Sequence, residues 1–480
     1  MQFNSFSFFV FICSLLLLLT IAQSVFGKKE EKLLLFRNVV LLIASYYFYA
    51  FLDWRYLFLL LATTIGNYIS AIKIGNGLSK STQKRWLVFS VVFSIGILVY
   101  FKYANFFVDS VVSSLKLLGI APQLSLTKIA LPIGISFFTF QALSYTLDVY
   151  NGKMKARKNI IDVALYVSFF PTILSGPIER GRNLIPQIER YTTLSLEGLI
   201  EGGKLFLWGV FKKIVVADRL AAYINVVYAG NPDDFSSLTL LLTAALYSFQ
   251  IYADFSGYSD MAIGVGRMLG FKLMTNFHYP YFSTSIKSFW KRWHISLTSW
   301  FTEYVYIPLG GNRVTESRWI LNISAVFLLS GLWHGANWTF IFWGALHALF
   351  YLVEHYYHKI KPECLKTERK SLRYLSDGIS VLIVFVLVSV AWIFFRVEDF
   401  SKACSIIAHP FDLSGRFYWG SSAFTTMLAI AVLGVFLCME WVRYKQVRMS
   451  LPVNAVIYGA VLAMTVLLGV TSGGFVYFQF

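Results

Sequence analysis

Long apolar runs separated by short polar and basic loops set the rhythm of this chain. The runs fall near 5–26, 33–52, 56–75, 86–101, 130–150, 199–229, 236–253, 319–333, 338–358, 377–395, 423–441 and 453–471. Each approaches the ~20 residues that carry a helix across ~30 Å of hydrocarbon, though several are short. Two stretches break the pattern. Residues 103–118 carry Asn105, Asp109 and Lys116, which predicts a partial or surface helix. Residues 160–178 (IIDVALYVSFFPTILSGPI) contain Pro171, Gly176 and Pro177. Such backbone is tolerated at membrane depth only inside protein or along a cavity, so a re-entrant segment is expected. The pattern predicts an all-α polytopic membrane protein, with roughly 11 transmembrane helices plus re-entrant and interfacial amphipathic helices. No period of roughly 20–50 residues repeats, so an inverted-repeat transporter is not indicated.

The stretch 287–304, KSFWKRWHISLTSWFTEY, has a different period. On a helical wheel Phe289, Trp290, Trp293, His294, Leu297, Trp300, Phe301 and Tyr304 fill an arc of about 140°. Lys287, Lys291, Arg292 and Glu303 lie outside it. A helix with tryptophan on one face and bases on the other is suited to the membrane interface. His294 sits at the edge of the apolar arc. A structural imidazole bonded to a neighbour and a functional one are both open there. Pro308, Gly310 and Gly311 then force a turn.

Runs 319–333 and 338–358 predict a helical hairpin whose turn holds LSGLWHGANW, residues 329–338. At 1.5 Å per residue the first arm rises only about 22 Å, less than the ~30 Å core. His334 at its end is therefore expected inside the membrane slab. An ionisable residue at that depth is functional by default, because keeping it costs energy unless it faces a cavity. A buried histidine donating to a carbonyl is the structural alternative. Gly331 and Gly335 leave backbone room for another group to approach.

A further polar interruption, QIYADFSGYSDMAIGVGRMLG (250–270), holds Asp254 and Asp260 with Ser256, Gly257 and Ser259. A continuous helix would put the two acids on different faces, so a break at Gly257 is expected. A polar cavity wall and a capped helix break explain the acids equally well. Gly264, Gly266 and Gly270 have the wrong last spacing for a dinucleotide fingerprint, and no strand precedes them.

Composition fixes the class. Of 480 residues, 57% are hydrophobic, 18% aromatic and 14% charged, with mean hydropathy +0.62. Soluble domains carry roughly a quarter charged residues, so 1–480 reads as a single integral-membrane domain. The net charge of +17 would suggest nucleic acid in a soluble protein. Here the bases cluster in loops, at Lys28–Lys32, Lys73–Arg85, Lys153–Lys158, 359–373 and Arg443–Arg448. That is a topology signal facing lipid headgroups, and no nucleic-acid partner is expected. Placing these loops in the cytoplasm puts both termini outside. The apolar N-terminus lacks a basic leader region and is expected to stay as the first span.

Cys13, Cys364, Cys404 and Cys438 show no CxxC spacing, so no disulfide framework or zinc site is readable. His355 and His358 could share a metal but lack a third ligand. Structural or interfacial roles are expected for them and for His347, and no metal site is expected. No GxSxG, Walker or HExxH motif occurs, so any enzyme here lacks a recognised serine nucleophile.

The residues resemble those of the membrane-bound O-acyltransferases, and within them the bacterial alginate and polysaccharide O-acetylase branch. The resemblance rests on LPIGISFFTFQALSYTLDVY (131–150), FFPTILSGPIERG (169–181), FSGYSDMAIGVGRMLGF (255–271), FWKRWHISLTSWFTEYVYIPLGGNR (289–313), SGLWHGANWTFIFWGALH (330–347) and YFQF (477–480). The most family-like core is 130–358. D-alanyl transfer proteins of Gram-positive walls look like more distant relatives. The resemblance implies that His334 is the catalytic histidine, reached through a channel, and that His294 is a second functional position. It also implies an acyl thioester donor, with acetyl-CoA expected, and no bound cofactor. The implied setting is the bacterial cytoplasmic membrane, with an extracytoplasmic partner of the SGNH-hydrolase type and a polysaccharide acceptor. Thr302-Glu303 stands where relatives commonly carry Arg-Asp, which removes a base near the expected cytoplasmic mouth.

The expected chemistry is general-base acyl transfer. A neutral histidine can take the acceptor hydroxyl's proton because its unperturbed pKa, ~6.5, lies near operating pH. His334 is expected as the base. His294 is expected to orient the donor or to stabilise the oxyanion. Trp333 and Trp338 are expected to wall the site, with Ser330 and Asp254 lining the channel. D-alanyl or other acyl transfer to a wall polymer is the alternative within the class. A transporter using His334 and Asp254 as relays, or a scaffold that only docks a transferase, are the alternatives outside it.

Overall fold

The structure, a computed structural model, describes residues 1–27, 29–77, 79–120, 128–360, 370–409, 415–470 and 475. The final YFQF motif lies outside them. Among the described residues the fold is all α apart from one isolated bridge, Phe235 to Arg416. Two compact units can be distinguished: Met1–Phe206 with Met261–Met274, and Leu207–Asp260 with Thr275–Phe480.

The first unit contains α1 (Phe6–Phe26), α2 (Glu30–Ala50), α3 (Leu57–Gly75), α4 (Lys80–Leu117), α5 (Ile135–Tyr150), α6 (Ile160–Ser168) and α7 (Gly181–Ile188). Side chains of Ser5, Ser79 and Asn159 cap α1, α4 and α6 by accepting backbone N–H groups. A buried polar seam holds α3 to its neighbours. Asn67 accepts from Ser90 (2.8 Å) and Thr146 (2.9 Å) and donates to Ser94 (2.9 Å). Lipid offers no partner for such groups, so the helices satisfy one another.

Two expectations meet different fates in this unit. Residues 103–117 are no separate surface helix but the continuation of α4, which is 38 residues long. Their polarity is used locally, since Asn105 both donates to the carbonyl and accepts from the N–H of Ile129 (2.9 and 3.2 Å). The broken segment after α6 is indeed irregular, and it is buried. Phe170 N–H donates to Ser45 Oγ (3.1 Å), and the Tyr166 hydroxyl lies 2.8 and 2.9 Å from the carbonyls of Gln141 and Glu179. Non-helical backbone thus finds its partners within the protein.

The second unit takes the end of α8 (Leu196–Val210), a π-helical turn Phe211–Ala217, α9 (Asp218–Ala229) and most of α10 (Ser237–Met268). It continues with α11 (Ile286–Trp290), α12 (Ile295–Phe301), a second π-helical turn Thr302–Tyr306, α13 (Glu316–His334) and α14 (Trp338–Ile360). It closes with α15 (Lys370–Arg396), α16 (Phe400–Ala408), α17 (Ala423–Tyr444) and α18 (Leu451–Leu468). Helix α10 runs unbroken through Gly257, against the expected break. That glycine serves a close approach instead: an added Cβ would lie 2.8 Å from Gly209 O and 3.0 Å from Lys212 Cβ.

Among the described residues, eight helices are long and apolar enough to cross a membrane: α1–α4, α10, α15, α17 and α18. The other expected spans fall short for visible reasons. Helix α5 has 16 residues. The run 199–229 is interrupted by the π-helical turn that carries Lys212 and Lys213. Helices α13 and α14 dilute their apolar faces with Glu316, Arg318, Asn322, His347 and Glu354.

Candidate active site

The hairpin of α13 and α14 is close-packed through glycine. A Cβ on Gly331 would lie 2.3 Å from the carbonyl oxygen of Phe340, and one on Gly344 would lie 2.4 Å from that of Phe327. Only hydrogen fits at both crossings. His334 is the last residue of α13, and Gly335 ends the helix with its N–H on Gly331 O (3.3 Å). Asn337 then starts α14 by accepting from Thr339 N–H (3.0 Å). The full α13 begins at Glu316 and rises about 28 Å, not the 22 Å expected from its apolar run. The burial of His334 therefore owes more to packing than to helix length.

That packing is aromatic. The His334 ring meets Trp333 at 5.0 Å, Trp343 at 5.1 Å and Phe395 of α15 at 5.2 Å, all edge-on. His294 completes the enclosure, its ring centroid 6.1 Å from that of His334. Phe255 of α10 meets His294 edge-on at 4.7 Å, and Trp333 lies 5.7 Å from it. Both histidines are almost fully buried, 1% exposed at His294 and 3% at His334. Burial in this apolar box pushes His294 down to about 3, so it is held neutral.

The backbone at His294 corrects the helical-wheel reading. The stretch 287–304 is not one amphipathic helix. Helix α11 ends at Trp290, and His294 takes a left-handed conformation (φ 43°, ψ 53°) before α12 begins. A non-glycine residue rarely adopts that region without support from its surroundings. The kink turns the imidazole inward from the junction of two short helices.

The remaining expected site residues divide. Trp333 is buried against both imidazoles. Trp338 stands 60% exposed at the start of α14, so the second indole against His334 is Trp343. Ser330, one turn before His334, lines a cavity of about 220 Å³ together with Trp290, Phe301, Phe327 and Tyr351. Exposed Lys287 and Lys291 belong to the same lining. Asp254 is engaged by a buried cation, accepting from Lys213 Nζ at 2.7 Å. Lys213 also reaches Asp218 (2.8 Å), and its neighbour Lys212 reaches Asp260 (3.0 Å) and Glu440 (3.4 Å). The carboxylates of α10 thus do point to different faces, and both are paired. His355 packs against Trp319 with the rings tilted, centroids 4.4 Å apart. Among the described residues no three metal-ligating side chains converge.

The sequence reading missed Trp343, Phe395, Phe255 and the two lysines. The lysines left a readable signal, as adjacent cations inside an apolar run that has acids elsewhere to match. The aromatic walls left none, because apolar residues are common throughout the chain.

Comparison with known proteins adds a second line. The sequence model of the MBOAT family, membrane-bound O-acyltransferases, matches residues 41–396. The chain is 40% identical to the probable alginate O-acetylase of Azotobacter vinelandii over 401 residues, covering 82% of this chain and 78% of that protein. It is 35% identical to the peptidoglycan O-acetyltransferase of Helicobacter pylori over 400 residues, covering 77% and 73%. It is 32% identical to the teichoic acid D-alanyltransferase of Bacillus subtilis over 241 residues, covering 47% and 60%.

Proposed function

The chain belongs to the membrane-bound O-acyltransferase family, and on that premise we propose that it acetylates an extracytoplasmic polysaccharide with His334 as general base. It is a multi-pass membrane protein and an O-acyltransferase. The observation that carries the finer reading is the pair of buried imidazoles, 6.1 Å apart between ring centroids inside a wall of indole and phenyl rings.

The reaction follows from what such a box can do. A hydroxyl of the acceptor gives its proton to neutral His334 as its oxygen attacks the acyl carbonyl of a thioester. The carbon–sulfur bond then breaks, and the departing sulfur takes the proton back from His334, so no net proton is consumed. His294, held neutral, has an N–H to offer either the donor or the oxyanion formed during attack. Aromatic walls exclude the water that would hydrolyse the thioester.

The relatives named for alginate, peptidoglycan and teichoic acid all act on polymers, which supports a polysaccharide acceptor. The greater coverage of the O-acetylating relatives supports acetyl over D-alanyl. In this reading a cytoplasmic thioester such as acetyl-CoA is the donor and no resident cofactor takes part. The setting is the bacterial cytoplasmic membrane, and an SGNH-type protein outside it receives or directs the acyl group.

The test is His334→Ala, with expression and membrane insertion verified. Ester-bound acetate on the host polysaccharide should fall by about 10²–10⁴-fold, the usual worth of a positioned base. Unchanged acetylation would leave a scaffold, and movement of an unmodified solute without any thioester would leave a transporter.

A further inference from the structure

His294 occupies a left-handed backbone position that few residues other than glycine adopt, and such a position persists where the surrounding structure fixes it. Asn276 is bonded to both residues that follow His294, Ile295 and Ser296. The carbonyl of Asn276 accepts the N–H of Ile295 at 2.9 Å. Its side-chain Oδ1 accepts from Ser296 N–H (3.3 Å) and Ser296 Oγ (2.9 Å). Its Nδ2 donates to Ser259 Oγ on α10 at 3.1 Å. Two residues on, His278 N–H donates to the carbonyl of Arg292 (2.9 Å), so the 276–278 segment grips the chain on both sides of His294. Asn276 is completely buried.

The bond to Ser259 gives this clasp its reach. Ser259 lies one turn along α10 from Phe255, whose ring meets the His294 imidazole. A single side-chain amide therefore ties the backbone of the imidazole to the helix that walls it. An amide can do this because it offers an acceptor with two lone pairs and a donor at once. Alanine offers neither, and leucine would bury no partner for the N–H of Ser296.

We propose that Asn276 is a positioning residue for acyl transfer, fixing His294 against α10 without touching the reacting groups. The proposal rests on His294 serving the reaction as described above. The experiment is a double-mutant cycle on the full chain in membrane vesicles of the host, which keep the extracytoplasmic partner, with acetyl-CoA as the donor probe. It measures thiol release and acetate esters formed on crude host polysaccharide. Asn276→Ala should lower turnover on the order of 10²-fold, with the KM for acetyl-CoA within about twofold of the parent. The Asn276→Ala, His294→Ala double variant should be no worse than His294→Ala alone, because the clasp acts only through the imidazole.

Additive losses would place the effect of Asn276 elsewhere and overturn the proposal. Full turnover in Asn276→Ala beside an impaired His294→Ala would overturn it while sparing the role of His294. Full turnover in His294→Ala would overturn both. Where Asn276→Ala does not fold, Ser259→Ala takes its place in the cycle. That variant removes one bond of the clasp and should show a smaller loss with the same non-additivity.

Discussion

At the scale of single residues, burial decides what the His294 imidazole can do. His294 is buried and held neutral down to about 3, against an ordinary value of 6.5. The sign of the pH effect follows. Below pH 6.5 the unfolded chain binds a proton at this residue and the folded chain does not, so stability falls as pH drops from 6.5 toward 3. His294→Gln removes that titration. Between pH 7.5 and 5.0 the parent protein should lose more of its thermal midpoint in detergent than His294→Gln loses; equal losses would mean the imidazole is solvated after all. The burial of His334 was legible in the sequence because it stands at the end of an apolar run. Asn276 was not, because a buried asparagine some way along the chain declares its partners only once the chain is folded. Trp338 misled for the opposite reason: proximity in sequence to His334 says nothing about which face of α14 it occupies.

At the scale of elements, periodicity located helices well and their interruptions poorly. Gly257 suggested a break and instead permits a helix crossing, while KRWH, with neither glycine nor proline, contains the real kink. The reason is that glycine marks a need for space as often as a need for a turn. A left-handed residue, in contrast, is imposed by tertiary bonds that no local pattern records. The adjacent lysines of the π-helical turn make the same point. Lys213 is 1% exposed and bridges Asp254 of α10 and Asp218 of α9. Removing one partner from a buried ion pair costs about 3–5 kcal/mol, because the other charge stays buried. Lys213→Met strands two carboxylates and should destabilise by at least that much. Asp254→Asn leaves Lys213 its bond to Asp218 and should cost less. Thermal midpoints of the two purified variants check the order, and the reverse order would mean that the acids are not held by this lysine.

At the scale of the whole molecule, loop charge and contacts within the first unit make a joint statement about topology. The bases at Lys73–Arg85 and Lys153–Lys158 require an even number of spans between them if both face the cytoplasm. The sequence offered three apolar runs there. Because 103–117 continues α4, two helices remain, α4 and α5, and the count is even. The structure brings the two loops together directly. Tyr68 OH donates to the carbonyl of Lys158 at 2.6 Å, and a Cβ on Gly75 would lie 2.7 Å from that of Ala156. Helix α4 rises about 57 Å and outlasts a ~30 Å bilayer by several turns, whereas α5 alone rises only about 24 Å; the non-helical stretch ahead of α5, bonded at Ile129 to Asn105 of α4, makes up the rest of the return. Asn76→Cys and Lys153→Cys, each in a background with Cys13, Cys364, Cys404 and Cys438 changed to serine, should therefore react with an impermeant thiol reagent from the same side. Trp54→Cys, in the turn between α2 and α3, should react from the other. Labelling of Asn76→Cys and Lys153→Cys from opposite sides would mean that α5 does not return across the membrane, and the basic loops would then no longer define one face.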